Sequence, residues 1–283
     1  MYINIPPNVN IAESDKGLDE INVKSNNVYY EDEYTRSEKN SKFKPPKTID
    51  GYEVLDFKKS DVTGDGFPEY IYLLGKSRND SPNFKEDIHL FIQDGRTKRV
   101  YYITMKDNAG YEPELFLGDL TGDGINDIFV SIGSGGSGGF YYYYIFSYKN
   151  GDFVKIFDHE DFSNSQKYNV NFRDYYRVEV VSVDGKEKFI IDISHRSREY
   201  LDQYYDKLGK LKKPVSGDVT GLNVLFPIYS TFGVKNKFDL FAIQRIIGTY
   251  SADGLGYLQT YLSFEDGIFK KVWSQVAINQ VGK

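Results

Sequence analysis

Asp119-Leu120-Thr121-Gly122-Asp123-Gly124-Ile125-Asn126-Asp127 and, upstream, Asp61-Val62-Thr63-Gly64-Asp65-Gly66-Phe67-Pro68-Glu69 share one pattern, D-x-T-G-D-G-x-x-[DE]. Carboxylates at positions one, five and nine suit a hard cation that seeks oxygen ligands. The threonine at position three adds a hydroxyl, and the residue at position seven adds a backbone carbonyl. Glycine at position six permits the sharp turn that brings these oxygens round one point. Calcium tolerates such irregular, oxygen-rich shells, so two calcium sites are expected.

The flanks separate this pattern from the EF-hand. That loop ends on a bidentate glutamate at position twelve and lies between helices. Here position twelve is Tyr72 or Val130. The loops run into Tyr70-Ile71-Tyr72-Leu73-Leu74 and Ile128-Phe129-Val130-Ser131-Ile132, short β-rich runs closed by Gly75 and Gly133. The plainer alternative is a pair of Asp/Gly-rich turns that hold nothing; the recurrence of the pattern ahead of a strand favours metal.

Outward from the loops, the chain reads as short strands and tight turns. Tyr52 to Phe57 enters the first loop, and Leu115 to Leu117 enters the second. Ile88–Ile92 and Arg99–Ile103 flank Asp94-Gly95, and Tyr141–Tyr148 and Phe153–Phe157 flank Asn150-Gly151. Such dipeptides between apolar runs signal hairpins. Each unit is strand, acidic loop, strand, longer link, hairpin, and the two loops begin 58 residues apart. Tyr257–Phe264, Asp266-Gly267 and Phe269–Trp273 repeat the last hairpin 116 residues on, twice that spacing. Tyr176–Val183, Asp184-Gly185 and Phe189–Ile193 form another hairpin. Gly217-Asp218-Val219-Thr220-Gly221 reads as a decayed loop, with Leu222-Asn223 where Asp-Gly should stand, and no metal is expected there. Glu199 to Leu211 fits a helix or a charged link, and Phe238 to Ile247 fits helix or strand. Four-stranded units at a fixed period predict an all-β fold, a β-propeller-like array of four-stranded antiparallel sheets with about four to five blades, some degenerate.

The 283 residues include 25 Tyr and 20 Phe, a β-favouring mix, and the net charge of −6 argues against a general nucleic-acid binder. Absence of cysteine excludes disulfides and thiolate chemistry. No apolar run reaches membrane-span length, and Met1 to Ser14 lacks the layout of a signal peptide. Residues 1–47 are expected to form a polar tail or linker, and 48–283 the propeller-like domain.

Other motifs carry less. Gly135-Gly136-Ser137-Gly138-Gly139 matches G-x-S-x-G, but a nucleophile elbow needs a following helix, and Phe140-Tyr141-Tyr142-Tyr143-Tyr144 reads as a strand. Ser137 is therefore expected not to act as a nucleophile, and no catalytic residue is assigned. His89, His159 and His195 show no ligand spacing and are expected in structural or surface roles. The Tyr141–Tyr144 run alternates across a sheet and is expected chiefly to pack.

The two loops resemble those of FG-GAP and VCBS repeats, found in the integrin α-subunit propeller and in many bacterial surface proteins. In that family the loop D-x-D-x-D-G-x-x-D joins two strands of a blade and holds calcium. The resemblance implies Asp61, Thr63, Asp65, Phe67 (carbonyl) and Glu69 as one ligand set, and Asp119, Thr121, Asp123, Ile125 (carbonyl) and Asp127 as the other. This chain departs from the family in its threonine at position three and in lacking a Phe-Gly…Gly-Ala-Pro stretch. The likeness implies a non-catalytic, calcium-binding propeller at the cell surface or outside the cell, serving as a binding or adhesion module for a protein or glycan ligand. Two alternatives stand beside it: a hydrolase acting on glycans or esters on a propeller scaffold, and a structural envelope or coat component.

Overall fold

A computed structural model describes residues 45–136, 138–230 and 236–278. Sixteen strands and two short helices are assigned among them, and every strand pairing is antiparallel. The expected all-β class is therefore observed. The expected tail lies, as far as residue 44, outside the described residues, and the first strand starts at Thr48.

The first sheet contains β1 (Thr48–Ile49), β2 (Tyr52–Ser60), β3 (Glu69–Arg78), β4 (Ser81–Gln93), β5 (Val100–Thr104), β6 (Gly110–Gly118), β7 (Asp127–Gly133), β8 (Tyr141–Lys149) and β9 (Asp152–Asp158). Its order is β1-β2-β3-β4-β6-β7-β8-β9, with β5 also on β4. The strand β4 forks: His89–Gln93 pair with β5, while Phe84 and Lys85 pair with Tyr111 and Gly110 of β6. Two four-strand meanders, β2–β5 and β6–β9, are thus joined into one sheet by the overhang of a thirteen-residue strand.

Helix α1 (His159–Ser165) follows, capped by the Asp158 carboxylate, which accepts from Glu160 N. The second sheet contains β10 (Tyr168–Arg173), β11 (Arg177–Ser182), β12 (Lys188–Asp192), β13 (Ser216–Tyr229), β14 (Phe238–Ile247), β15 (Gly254–Glu265) and β16 (Ile268–Ala277), with α2 (Arg198–Tyr204) between β12 and β13. Its order is β12-β11-β10-β13-β14-β15-β16. The sheet curls until its edges meet through side chains: Lys271 Nζ and Ser274 Oγ on β16 reach the Glu187 carboxylate, beside β12, at 2.6 Å each. The result is nearly closed and barrel-like. Val170, Phe172, Val178, Val180, Ile246 and Leu258 fill it, and Leu201, Tyr204 and Tyr205 from α2 and its end pack against them.

The strand β7 shows why its sequence is continuously apolar. Ile128, Val130 and Ile132 enter the core of the first sheet, while Phe129 enters a second core shared with Leu222, Leu225 and Leu240 of β13 and β14. The neighbouring β8 does the same: Tyr144 joins the first core and Tyr143 the second. The tyrosine run packs, as expected, with Tyr141 and Tyr142 half-buried at its start.

Turn chemistry follows the sequence where the loop has two residues. Asn150 and Gly151 have φ of 55° and 89°, and Asp266 and Gly267 have 52° and 87°, the left-handed pair that matches strand twist. The Asp94-Gly95 connection is longer, running from Asp94 to Arg99, because Asp94 Oδ1 accepts from Arg96 N and Thr97 N and opens the turn. The ambiguous segment at Phe238 is strand β14, and that at Glu199 contains the short helix α2, capped by Ser197.

The stretch at Asp218 requires a correction. It is no loop: it lies within β13, where the register with β14 slips between Val219, Leu222 and Val224. Thr220 Oγ1 donates to Asn223 Oδ1 at 2.8 Å, and Arg245 N donates to both side chains at 3.1 Å. Leu222-Asn223 supplies no glycine for the left-handed turn at position six, so the backbone stays extended and the irregularity becomes a bulge.

Candidate metal centre

Each acidic loop is wound by its own first aspartate. Asp61 Oδ1 accepts from Thr63 N (3.2 Å) and Gly64 N (2.7 Å), and Oδ2 accepts from Gly66 N (2.8 Å). Asp119 Oδ1 accepts from Gly122 N (2.5 Å) and Oδ2 from Gly124 N (2.9 Å). The fifth residue then caps the seventh: Phe67 N donates to Asp65 Oδ1 and Ile125 N to Asp123 Oδ1, each at 2.9 Å. The sixth residues, Gly66 and Gly124, have φ of 83° and 87°, which explains glycine there.

The ninth residue forms the floor. Glu69 Oε2 accepts from Val62 N at 2.9 Å, and Asp127 Oδ2 accepts from Leu120 N and Thr121 N at 2.9 Å. Both carboxylates are buried. The loops also touch one another. Asn126 Nδ2 donates to Ser60 Oγ at 2.8 Å, and the Ile125 side chain fills the space a Cβ on Gly64 would need, at 2.5 Å.

The first loop draws its charges together. Asp61, Asp65 and Glu69 each offer an oxygen within 4.8 Å of the other two. Glu69 is wholly buried, and its Oε1 has no hydrogen-bond partner; nor has Thr63 Oγ1. Buried polar atoms are ordinarily paired, and leaving one unpaired costs ~1–3 kcal/mol. An oxygen-seeking cation answers both vacant acceptors, so this donor set fits calcium. Burial, with the like charge of Asp61 and Asp65, raises the Glu69 pKa, opposed by the backbone amides of Val62 and Gly95. Arg96, from the β4–β5 connection, meets Asp65 Oδ2 at 2.8 Å and balances one of the three charges.

The second loop differs. Among the described residues, Asp119, Asp123 and Asp127 form no cluster as close as that of the first loop. Burial pushes Asp127 up to about 6, against hydrogen bonds from Ser147, Leu120 and Thr121, with Asp123 adding like charge. Thr121 Oγ1 is again buried without a partner. The structure therefore places all ten expected ligand residues on two adjoining loops and gathers the carboxylates of one. The residues missed from sequence are Arg96 and Ser147, distant positions for which the loop pattern carries no signal.

The other candidates have structural surroundings. His89 is buried between the rings of Tyr52 and Tyr102, its Nδ1 2.9 Å from the Asp87 carbonyl. His159 Nε2 lies 3.0 Å from Asp107 Oδ2, beside Tyr144, and His195 is exposed. Ser137 lies outside the described residues.

A family model described as the YybI C-terminal domain matches residues 166–277, the span of the seven-stranded sheet. A Bacillus subtilis (strain 168) protein described as uncharacterized protein YybI is 41% identical over 211 residues, covering 75% of this chain and 79% of that protein. No solved structure matches the chain.

Proposed function

The chain belongs to the YybI family, and we propose that within it this protein is a non-catalytic binding module whose sheet is stabilised by calcium at the acidic loops. One observation carries the reading: Glu69 Oε1 and Thr63 Oγ1 are buried and unpaired beside Asp61 and Asp65. Asp61, Thr63, Asp65, the Phe67 carbonyl and Glu69 would hold one ion. Asp119, Thr121, Asp123, the Ile125 carbonyl and Asp127 would hold a second, more weakly. The ion would supply charge neutralisation and hold loop to strand. On this reading the meanders β2–β5 and β6–β9 are two blades of a propeller-like array joined through β4, and the nearly closed sheet β10–β16 departs from that array. The ligand is a protein or glycan met at the cell surface or outside the cell, an assignment that rests on the resemblance of the loops to FG-GAP and VCBS repeats.

Titration calorimetry and thermal melting of chelator-treated protein test the metal. For a dissociation constant of about 0.1 mM, as in weak extracellular modules, about 1 mM calcium adds on the order of 1.4 kcal/mol per site. Magnesium stabilises less, because it keeps its waters and demands a near-octahedral shell. Absence of both calcium heat and any melting shift would reduce the loops to ordinary turns. A screen against glycans and envelope fractions tests the binding role: saturable binding without turnover supports it, and product formation overturns it.

A further inference from the structure

Far along the chain from the acidic loops, the seven-stranded sheet carries a pair of tips with a different chemistry. The first is the β10–β11 connection, Asp174-Tyr175-Tyr176, between the paired Arg173 and Arg177. Tyr175 and Tyr176 have φ of 62° and 61°. Left-handed backbone costs a non-glycine residue about 1–2 kcal/mol, and glycine or asparagine would serve a plain turn better. Such strain persists where the surroundings hold it and is a pointer to function.

The second tip is the turn Asp206–Lys210, which holds it. Asp206 Oδ1 accepts from Leu208 N and Lys210 N at 2.8 and 2.9 Å, and Asp206 N donates to Lys210 O at 2.8 Å. Tyr175 N donates to Gly209 O at 2.6 Å, Leu211 N donates to Asp174 Oδ1 at 3.0 Å, and the Tyr176 ring lies against Gly209. Two turns are thus locked into one rigid end.

That end exposes apolar surface inside a collar of cations. Leu208 is 78% exposed and Tyr175 56% exposed. Lys207-Leu208-Gly209-Lys210-Leu211-Lys212-Lys213 puts four lysines in seven residues of a chain whose net charge is −6. All four are exposed; Lys210 lies over the Tyr175 ring at 4.5 Å and pairs with Asp174 Oδ2 at 2.9 Å. Lys207 and Lys213 form no ion pair among the described residues. Beside the tips a recess of about 400 Å³ is lined by Lys212, Lys213, Phe172, Pro214, Val215 and Arg173, the last paired with Glu179 at 2.6 Å. A solvated charge cluster needs neither an exposed leucine at its apex nor a strained tyrosine beside it. Tyrosine, with an apolar ring and polar tip, suits the boundary of a bilayer, and lysines around an inserted side chain suit anionic headgroups.

We propose that the paired tips dock on an anionic lipid surface, Leu208 and Tyr175 entering the boundary while Lys207, Lys212 and Lys213 meet headgroup charge and the recess receives a phosphate. The contact is peripheral and reversible, since one leucine and one tyrosine anchor weakly without the electrostatic share. It does not depend on calcium.

Vesicle co-sedimentation of the full chain, in chelator, tests this. Vesicles of phosphatidylcholine alone are compared with vesicles containing about 30 mol % phosphatidylglycerol, a strongly anionic surface. Binding is expected only to the second and is lost at high salt. Lys207→Glu with Lys213→Glu is expected to lower partitioning at least tenfold, since each basic residue near such a surface contributes about fivefold. Leu208→Ser is expected to lower it about tenfold, with unchanged melting for both variants. Equal binding to neutral and anionic vesicles, or wild-type binding by both variants, overturns the proposal. So does tight binding to a soluble polyanion that Leu208→Ser leaves intact with no vesicle binding, which would make the site one for polyelectrolytes.

Discussion

The two acidic loops share a pattern, a hydrogen-bonded winding and a place ahead of a buried strand, yet they differ in what they leave unsatisfied. In the first, Glu69 Oε2 takes Val62 N, the Gly95 amide also favours the charged carboxylate, and Oε1 is left without a hydrogen bond of its own. In the second, Asp127 is one methylene shorter; one oxygen takes two amides, and Ser147 adds a further hydrogen bond to the carboxylate. The ninth side chains, one methylene different in length, thus meet different sets of donors. The neighbours differ too. Arg96 faces the first loop directly. Over the second, the Lys237 stem covers Gly122, but its ammonium is turned to Ser263 and the Phe264 carbonyl. The same loop pattern therefore sits in two electrostatic settings.

The largest expected effect separates the loops outright. Asp65→Ala should remove the stronger calcium transition in calorimetry and most of the calcium-induced melting shift, whereas Asp123→Ala should remove only the weaker one. Equal losses from the two variants would erase the distinction between the loops.

Thr63→Val should act in opposite senses with and without metal. The buried hydroxyl lacks a partner, so its removal should stabilise the metal-free protein by about 1 kcal/mol. If that hydroxyl binds the ion, the same change should weaken calcium binding. A variant that is destabilised in chelator, or binds calcium unchanged, contradicts the assigned role.

A smaller effect is expected from Arg96→Gln. The guanidinium repels a cation placed among the carboxylates, and an exposed pair of this kind is worth about 1 kcal/mol at most. Calcium affinity at the first loop should rise no more than about fivefold, with the second loop unaffected. A fall in affinity would mean that Arg96 shapes the site rather than competes with it.

The pH dependence sharpens the contrast at the second loop. Because the folded state raises Asp127 from 3.8 to about 6, the native protein holds a proton that the unfolded chain has released. Its metal-free stability contribution therefore falls as pH rises between those values, and the full penalty applies above about 6. Asp127→Asn should flatten that slope in chelator-treated melts. Calcium should bind more tightly as pH rises through the same range, since the ion must displace the proton. The smallest expected change is at Asp218→Ala, which should leave calcium heats untouched because that residue lies on a bulged strand.

The strand-and-turn content was legible in the chain alone, because it depends on local chemistry. Alternating or continuous apolar runs place β3, β7 and β8, and Asn150-Gly151 and Asp266-Gly267 turn their strands because asparagine, aspartate and glycine accept the left-handed backbone. The winding of the acidic loops was equally local: an aspartate captures amides three and five residues on, and glycine permits the turn. The joining of two meanders through β4, the curl that brings β16 to Glu187, and the bulge at Thr220 depend on partners many residues away. The difference between the two loops has the same origin. Sequence by itself determined which oxygens each loop could offer; only the tertiary structure decided that Glu69 keeps one spare, that Ser147 joins the hydrogen bonds to Asp127 and that Arg96 stands over Asp65, because burial and long-range packing set which polar atoms find a partner.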